Sequence, residues 1–163
     1  MSDDNGSKDS VSMILFSGDL DKAMAAFTIA NGAAGSGMPV TIFFTFWGLS
    51  LLRKEKGEGD SFLENLFKKM MPAGAETVGL SRFNFGGMGA KMLRKMLHQK
   101  EAFTPESLMK MAMERHVNFV VCEASMKILG ITQDELIDYD HLSISGVESF
   151  LQLAKGSKIQ LFI

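Results

Sequence analysis

The chain holds a single cysteine, Cys122, and it is the strongest nucleophile that its side chains offer. Val117 to Val121 (VNFVV) reads as a strand, and Glu123 to Leu129 reads as a short helix stopped by Gly130. Cys122 sits at the handover between them. Unpaired backbone N–H groups at a helix start, together with the helix dipole, favour a thiolate there. A thiol with a lowered pKa reacts near neutral pH. Glu123 acts in the opposite direction, because a neighbouring carboxylate disfavours a second negative charge. Position alone leaves another reading open, in which Cys122 is a small buried hydrophobe.

The remaining chemistry-bearing residues form weaker patterns. The three histidines, His98, His116 and His141, show no metal-ligand spacing to one another or to Cys122. No metal site is expected, and no cofactor. Gly86-Gly87-Met88-Gly89-Ala90-Lys91 has some of the composition of a phosphate loop, but lacks its full spacing and its preceding strand. No Ser-His-Asp arrangement follows from spacing. Lys91, Arg94, Lys95 and Lys100 lie on a Met/Leu-lined stretch. They read as a solvated face, with docking of an acidic partner as the lesser reading.

Composition narrows the setting. A length of 163 residues fits one domain. A net charge of −2 gives no global attraction to nucleic acid or to anionic lipid. One cysteine excludes an intrachain disulfide and suits a reducing cytoplasmic location. Residues 1–10 (MSDDNGSKDS) are polar and acidic, unlike a signal peptide, and read as a disordered lead-in to a domain over 11–163. The longest apolar run, Val40 to Leu52, is too short for the roughly 20 residues of a spanning helix. Thirteen Met and thirteen Phe beside one Tyr and one Trp suit an irregular core or an adaptable surface for binding or assembly.

The elements that must position Cys122 follow from periodicity. Val11 to Phe16 reads as a buried strand, with a turn and helix cap at Ser17-Gly18-Asp19. Leu20, Ala23, Met24, Phe27, Ala30 and Ala34 mark one face of a helix ended by Gly35 and Gly37. Val40 to Phe46 reads as a strand covered on both faces, closed by Trp47-Gly48, with a short helix over 49–54. A charged loop over 55–60 and a helix over 61–71 follow. Residues 72–89 hold five glycines and form a long loop. Lys91 to Gln99 reads as a helix, and Thr104-Pro105 opens another that runs to Arg115. After Cys122, Thr132 to Glu135 has capping-box spacing. Residues 138–144 hold a weak fourth strand. Ser145 to Glu148 repeats the cap pattern before a helix that buries Val147, Phe150, Leu151 and Ala154, and Lys158 to Ile163 is a closing strand.

Strands alternating with helices predict an α/β sandwich around a mostly parallel five-stranded sheet, with helices on both faces and right-handed crossovers. Ligands of such sheets bind beyond the carboxyl ends of the strands. That selects Ser17-Gly18-Asp19, Phe46-Trp47-Gly48, Cys122 to Met126, and Ser143 to Gly146.

Four stretches resemble the DsrE/DsrF-like sulfurtransferases, in particular the stand-alone DsrE-type branch. They are Ile14 to Ala23 (ILFSGDLDKA), Val40 to Leu52 (VTIFFTFWGLSLL), Val121 to Ile131 (VCEASMKILGI) and Leu161 to Ile163. The Gly-rich stretch with Ser81, Asn84 and Gly86 to Gly89 is similar too. Ser125-Met126 match the branch, whereas Cys122-Glu123-Ala124 departs from its commoner pattern. The resemblance implies a three-layer, flavodoxin-like sandwich and a homo-oligomer, a trimer or a multiple of one. It also implies that Cys122 carries sulfane sulfur as a persulfide, taken from a donor and passed to an acceptor such as a small thiol or a small sulfur-carrier protein. Ser125 would hydrogen-bond to the sulfur, and Trp47 and the Gly-rich loop would shield it. Ser17, Gly18, Asp19, Gly48, Asn84, Gly86 and Met126 complete the expected supporting set. The alternative function is a non-catalytic ligand-binding or interaction domain of the same fold.

Overall fold

The structure is a computed structural model that describes residues 9–54, 65–66 and 69–163. The expected lead-in, for residues 1–8, lies outside the described residues, as do the expected loop over 55–60 and most of the expected helix over 61–71. Five strands form one sheet: β1 (Val11–Leu15), β2 (Val40–Phe44), β3 (Asn118–Cys122), β4 (Leu142–Ser145) and β5 (Ile159–Phe162). Their spatial order is β4-β3-β2-β1-β5, and every neighbouring pair is parallel. The helices are α1 (Leu20–Gly35), α2 (Met88–Gln99), α3 (Pro105–Glu114), α4 (Glu123–Leu129) and α5 (Val147–Lys155). The α/β sandwich with a parallel five-stranded sheet is the expected one.

Strand alternation divides the core in two. Met13, Leu15, Ile42, Phe44, Phe119 and Val121 point to one face and pack in the main core with Phe27, Ala30 and Leu108. Phe44 meets Phe119 edge-on at 5.1 Å between ring centroids. Burying a ring such as Phe27 stabilises the fold by about 1.5–3 kcal/mol. Helix α1 carries Leu20, Ala23, Ala26, Phe27 and Ala30 onto this face. The buried amide of Asn31 fastens α1 to α3, donating to the Phe27 carbonyl at 2.9 Å and the Leu108 carbonyl at 2.8 Å. Helix α3 starts on Thr104, whose side chain accepts from the Ser107 N–H, with Pro105 at the first helical position as expected.

Phe43, Val120 and Cys122 point to the opposite face. They pack with Phe150 and Ala154 of α5, and Phe43 stacks on Phe150 at 4.5 Å. The chain steps across the sheet from β1 to β4 through neighbouring strands, then returns through α5 to place β5 beside β1. Helix α5 therefore covers the Cys122 face.

Several expected details differ. Strand β2 ends at Phe44, and Phe46–Leu52 is one 3₁₀ segment rather than the end of a strand and a separate helix. Phe46 causes the break, since its φ of 45° lies in the left-handed region that a pleated strand does not use. Asp19 occupies the N-cap position of α1 but makes no side-chain cap bond. Its carboxylate instead accepts from the Ser17 hydroxyl at 2.6 Å and pairs with Lys22 at 3.2 Å. Gly146, not Ser145, is the N-cap of α5. Phe150 and Ala154 of that helix are buried, but Val147 and Leu151 are exposed. A helix lying on a sheet face buries only the stripe beneath it.

Two glycines lock the carboxyl edge. A Cβ on Gly48 would stand 2.1 Å from the Leu15 carbonyl oxygen, and one on Gly18 would stand 2.4 Å from the Trp47 carbonyl oxygen. The 3₁₀ segment thus packs backbone to backbone against the end of β1. Its far end is held by Arg53, fully buried and paired with buried Glu135 at 2.9 Å. Glu135 also closes the expected capping box with Thr132.

Candidate functional site

Cys122 is the last residue of β3 and the N-cap of α4, with φ −70° and ψ 110°. Its side chain is 6% exposed. The parallel register that pairs Phe44 with Val121 brings Thr45 beside Cys122, and Ser145 of β4 pairs with Cys122 on the other side. Three small side chains with oxygen or sulfur thus share one row at the carboxyl edge.

Hydrogen-bond donors converge on the sulfur. Burial by itself pushes the thiol pKa up. Hydrogen bonding from Ser125, the Thr45 hydroxyl and the Ala124 N–H outweighs burial, so the pKa lies below its ordinary value of 9.0. The Thr45 and Ser125 hydroxyls are themselves 2.8 Å apart. Each carries one proton, and one of the two lies along this contact, which leaves one for the sulfur. Phe46, with its left-handed φ, turns the chain immediately after Thr45. Such strain persists only where the surroundings over-determine it.

Glu123 does not oppose the thiolate in the way its sequence position implies. Its exposed side chain turns to Lys127, one helical turn on, and makes an ion pair at 2.7 Å. The hydrogen bond and charge of Lys127 hold the Glu123 carboxyl below its usual range.

The expected supporting residues separate into groups. Ser125 stands against the sulfur and is 1% exposed. Ser17, Gly18, Asp19 and Trp47 meet around a small cavity of about 210 Å³ at the end of β1, which Cys122 does not line. Gly48 serves the close backbone contact with Leu15. Asn84 and Gly86 belong to the turn before α2, where the Asn84 side-chain oxygen accepts from the Leu80 N–H at 3.3 Å. Met126 faces the main core. Thr45 is the donor that sequence reasoning missed, and aligning the ends of the second and third strands would have found it.

The carboxyl edge of the sheet carries exposed aromatic rings at β1, β2 and β5. Phe16 lies 5.4 Å from Phe46 and 6.0 Å from Phe162, centroid to centroid. Among the described residues, no three His, Cys, Asp or Glu side chains gather as metal ligands, and no helix is long and apolar enough to cross a membrane.

A model of the DsrE/DsrF/DrsH-like family matches residues 7–162. The chain belongs to this family. It is 46% identical over 153 residues to the uncharacterized protein YrkE of Bacillus subtilis, covering 93% of this chain and 94% of that protein. It is 29% identical over 157 residues to the sulfur carrier protein DsrE2 of Allochromatium vinosum, covering 94% and 97%. Among solved structures, the ychN protein of Escherichia coli superposes with a TM-score of 0.52 at 11% identity, over 95% of this chain and 99% of that one. That likeness extends to the fold. For the DsrE-like chain described here, the family resemblance read from the four stretches is therefore correct.

Proposed function

We propose that this DsrE-like chain is a sulfur carrier that relays sulfane sulfur through a persulfide on Cys122. The observation that carries the proposal is the chain's sole thiol standing at the end of β3 and the N-cap of α4, beside the hydrogen-bonded Thr45–Ser125 pair. Membership in the family supports it, as does the Allochromatium vinosum relative named as a sulfur carrier. In the loading step the Cys122 thiolate attacks the sulfane sulfur of a donor persulfide. An S–S bond forms to Cys122, the donor's S–S bond breaks, and the donor leaves as a thiolate. In the discharge step an acceptor thiolate attacks the outer sulfur, and the Cys122 thiolate leaves. The groups that lower the thiol pKa also stabilise that leaving group, and thiol exchange accelerates as the leaving-group pKa falls. No second cysteine is available in the chain to discharge the persulfide as an internal disulfide. The proposal includes a homo-oligomer, a reducing cytoplasmic setting, and a small thiol or small carrier protein as acceptor.

Loading with glutathione persulfide followed by intact-mass measurement tests the proposal. The expected result is one added sulfur atom, absent from Cys122→Ser and removed by a small thiol. No added sulfur, or sulfur retained by Cys122→Ser, overturns it.

The low exposure of Cys122 favours one competing reading, a binding domain with an inert thiol. Slow alkylation with no inflection below pH 9 would support that reading instead.

A further inference from the structure

Away from Cys122, the segment over 80–85 and helix α2 enclose an open groove of about 880 Å³. Leu80 and Leu93 at its floor pack against the core, but most of its apolar wall stands outside it. Phe83 is 76% exposed, Met88 68% and Met92 65%, and Phe85 and Met96 are exposed as well. Met88, Met92 and Met96 follow at four-residue intervals, so they lie along one stripe of α2 about 12 Å long. Unbranched thioether side chains adapt to a flexible apolar ligand. The volume and the mostly apolar lining are those of a small-molecule site, in which a few polar groups fix the ligand's orientation.

Charge selects the ligand's head. Residues 77–100 carry Arg82, Lys91, Arg94, Lys95 and Lys100 and no carboxylate, in a chain of net charge −2. Arg94 is tied back to the Val78 carbonyl at 2.8 Å, whereas Arg82 and Lys91 line the groove. Asp21 of α1 also lines it, but its carboxylate accepts from both the Ser81 N–H and the Ser81 hydroxyl. Two cations thus face one carboxylate that is already hydrogen-bonded. We propose that this groove binds a single-chain anionic amphiphile, a long-chain carboxylate, with its tail along Met88, Met92 and Met96 and its head at Arg82 and Lys91. The proposal is independent of the sulfur chemistry at Cys122.

Calorimetric titration of the full chain with dodecanoate, below its micelle concentration, tests this. Saturable binding at one site per chain is expected, with at least tenfold weaker binding of dodecyltrimethylammonium, which carries the same tail. The double variant Arg82→Glu/Lys91→Glu should lose at least tenfold in dodecanoate affinity, and Met92→Glu a similar amount, with circular dichroism unchanged. Equal binding of the two amphiphiles, or variants that bind as the parent does, overturns the proposal. Binding only to anionic phosphatidylglycerol vesicles would identify a membrane-surface patch and also overturn it. So would a chain that binds no dodecanoate and falls from oligomer to monomer on Met92→Glu, since the face would then be a subunit contact.

Discussion

The hydroxyls of Thr45 and Ser125 lie 2.8 Å apart, and this hydrogen-bonded pair stands beside Cys122, whose pKa it helps to lower. Thr45 directly follows β2, and Ser125 lies in the first turn of α4. The thiol's chemistry is therefore set jointly by two elements that only the parallel sheet brings together. A hydrogen bond to a charged group contributes about 1.5–3 kcal/mol. Ser125→Ala should raise the thiol pKa, and Thr45→Val should raise it by a smaller amount. Alkylation rate against pH measures both. An unmoved inflection in both variants would show that the hydroxyls do not hold the thiolate.

The same shift links to folding. An acid whose pKa is lower in the folded state adds stability above its unfolded pKa, and loses that stability as pH falls through the folded value. Stability of the wild type relative to Cys122→Ala should therefore rise with pH between the lowered folded pKa and the ordinary 9.0. Urea denaturation across that range provides the measurement, and a flat difference would contradict it.

Glu123→Gln should alter thiol reactivity by less than about twofold, because an exposed pair of this kind is screened by solvent. Glu123 is committed to Lys127 at 2.7 Å. A large rise in alkylation rate would mean that the carboxylate does act on the sulfur.

Arg53 and Glu135 form a buried pair, with Nε and Nη1 of Arg53 making no hydrogen bond among the described residues. Glu135→Gln leaves a buried cation without its counter-charge and should cost about 3–5 kcal/mol. Arg53→Met combined with Glu135→Gln should cost clearly less than the sum of the two single changes. Thermal unfolding of the three variants gives the coupling.

Gly48→Ala should destabilise by about 1–3 kcal/mol, the usual range for forced overpacking. The added carbon has only the Leu15 backbone to push against. The readouts are melting temperature and alkylation rate, since displacing the 3₁₀ segment also displaces Thr45. A neutral substitution would mean that the edge is looser than its contacts imply.

Much of the frame around Cys122 is legible in the sequence. VNFVV followed by cysteine and a Gly130-stopped helix gives the strand, the handover and the stop, because each signal is local. Thr132 to Glu135 closes the capping box that its spacing announces. Non-local features are not legible in this way. Thr45 lies inside an apolar run and becomes a donor only through register with β3. Val147 and Leu151 have core spacing, yet they stay exposed because one helix covers its sheet face and nothing described packs on its flanks. Glu123 is adjacent to Cys122 in sequence, but its side chain leaves in the other direction to reach Lys127. The groove on α2 reads as a solvated basic face until the exposure of its methionines is known.

The last strand of the sheet is bonded to the first, with Ile163 donating to the Ile14 carbonyl and accepting from Phe16. β1 through β4 can assemble in the order in which they are made. β5 must close a loop spanning nearly the whole chain, which is the slow, entropically costly kind of contact. We expect native-state hydrogen exchange to be fastest in β5, and the aromatic edge at Phe16, Phe46 and Phe162 to be the last part of the molecule to mature. The surroundings of the thiol, built from β2, β3 and α4, do not depend on that closing contact, whereas the Phe16–Phe162 part of the aromatic edge exists only once β5 is in place.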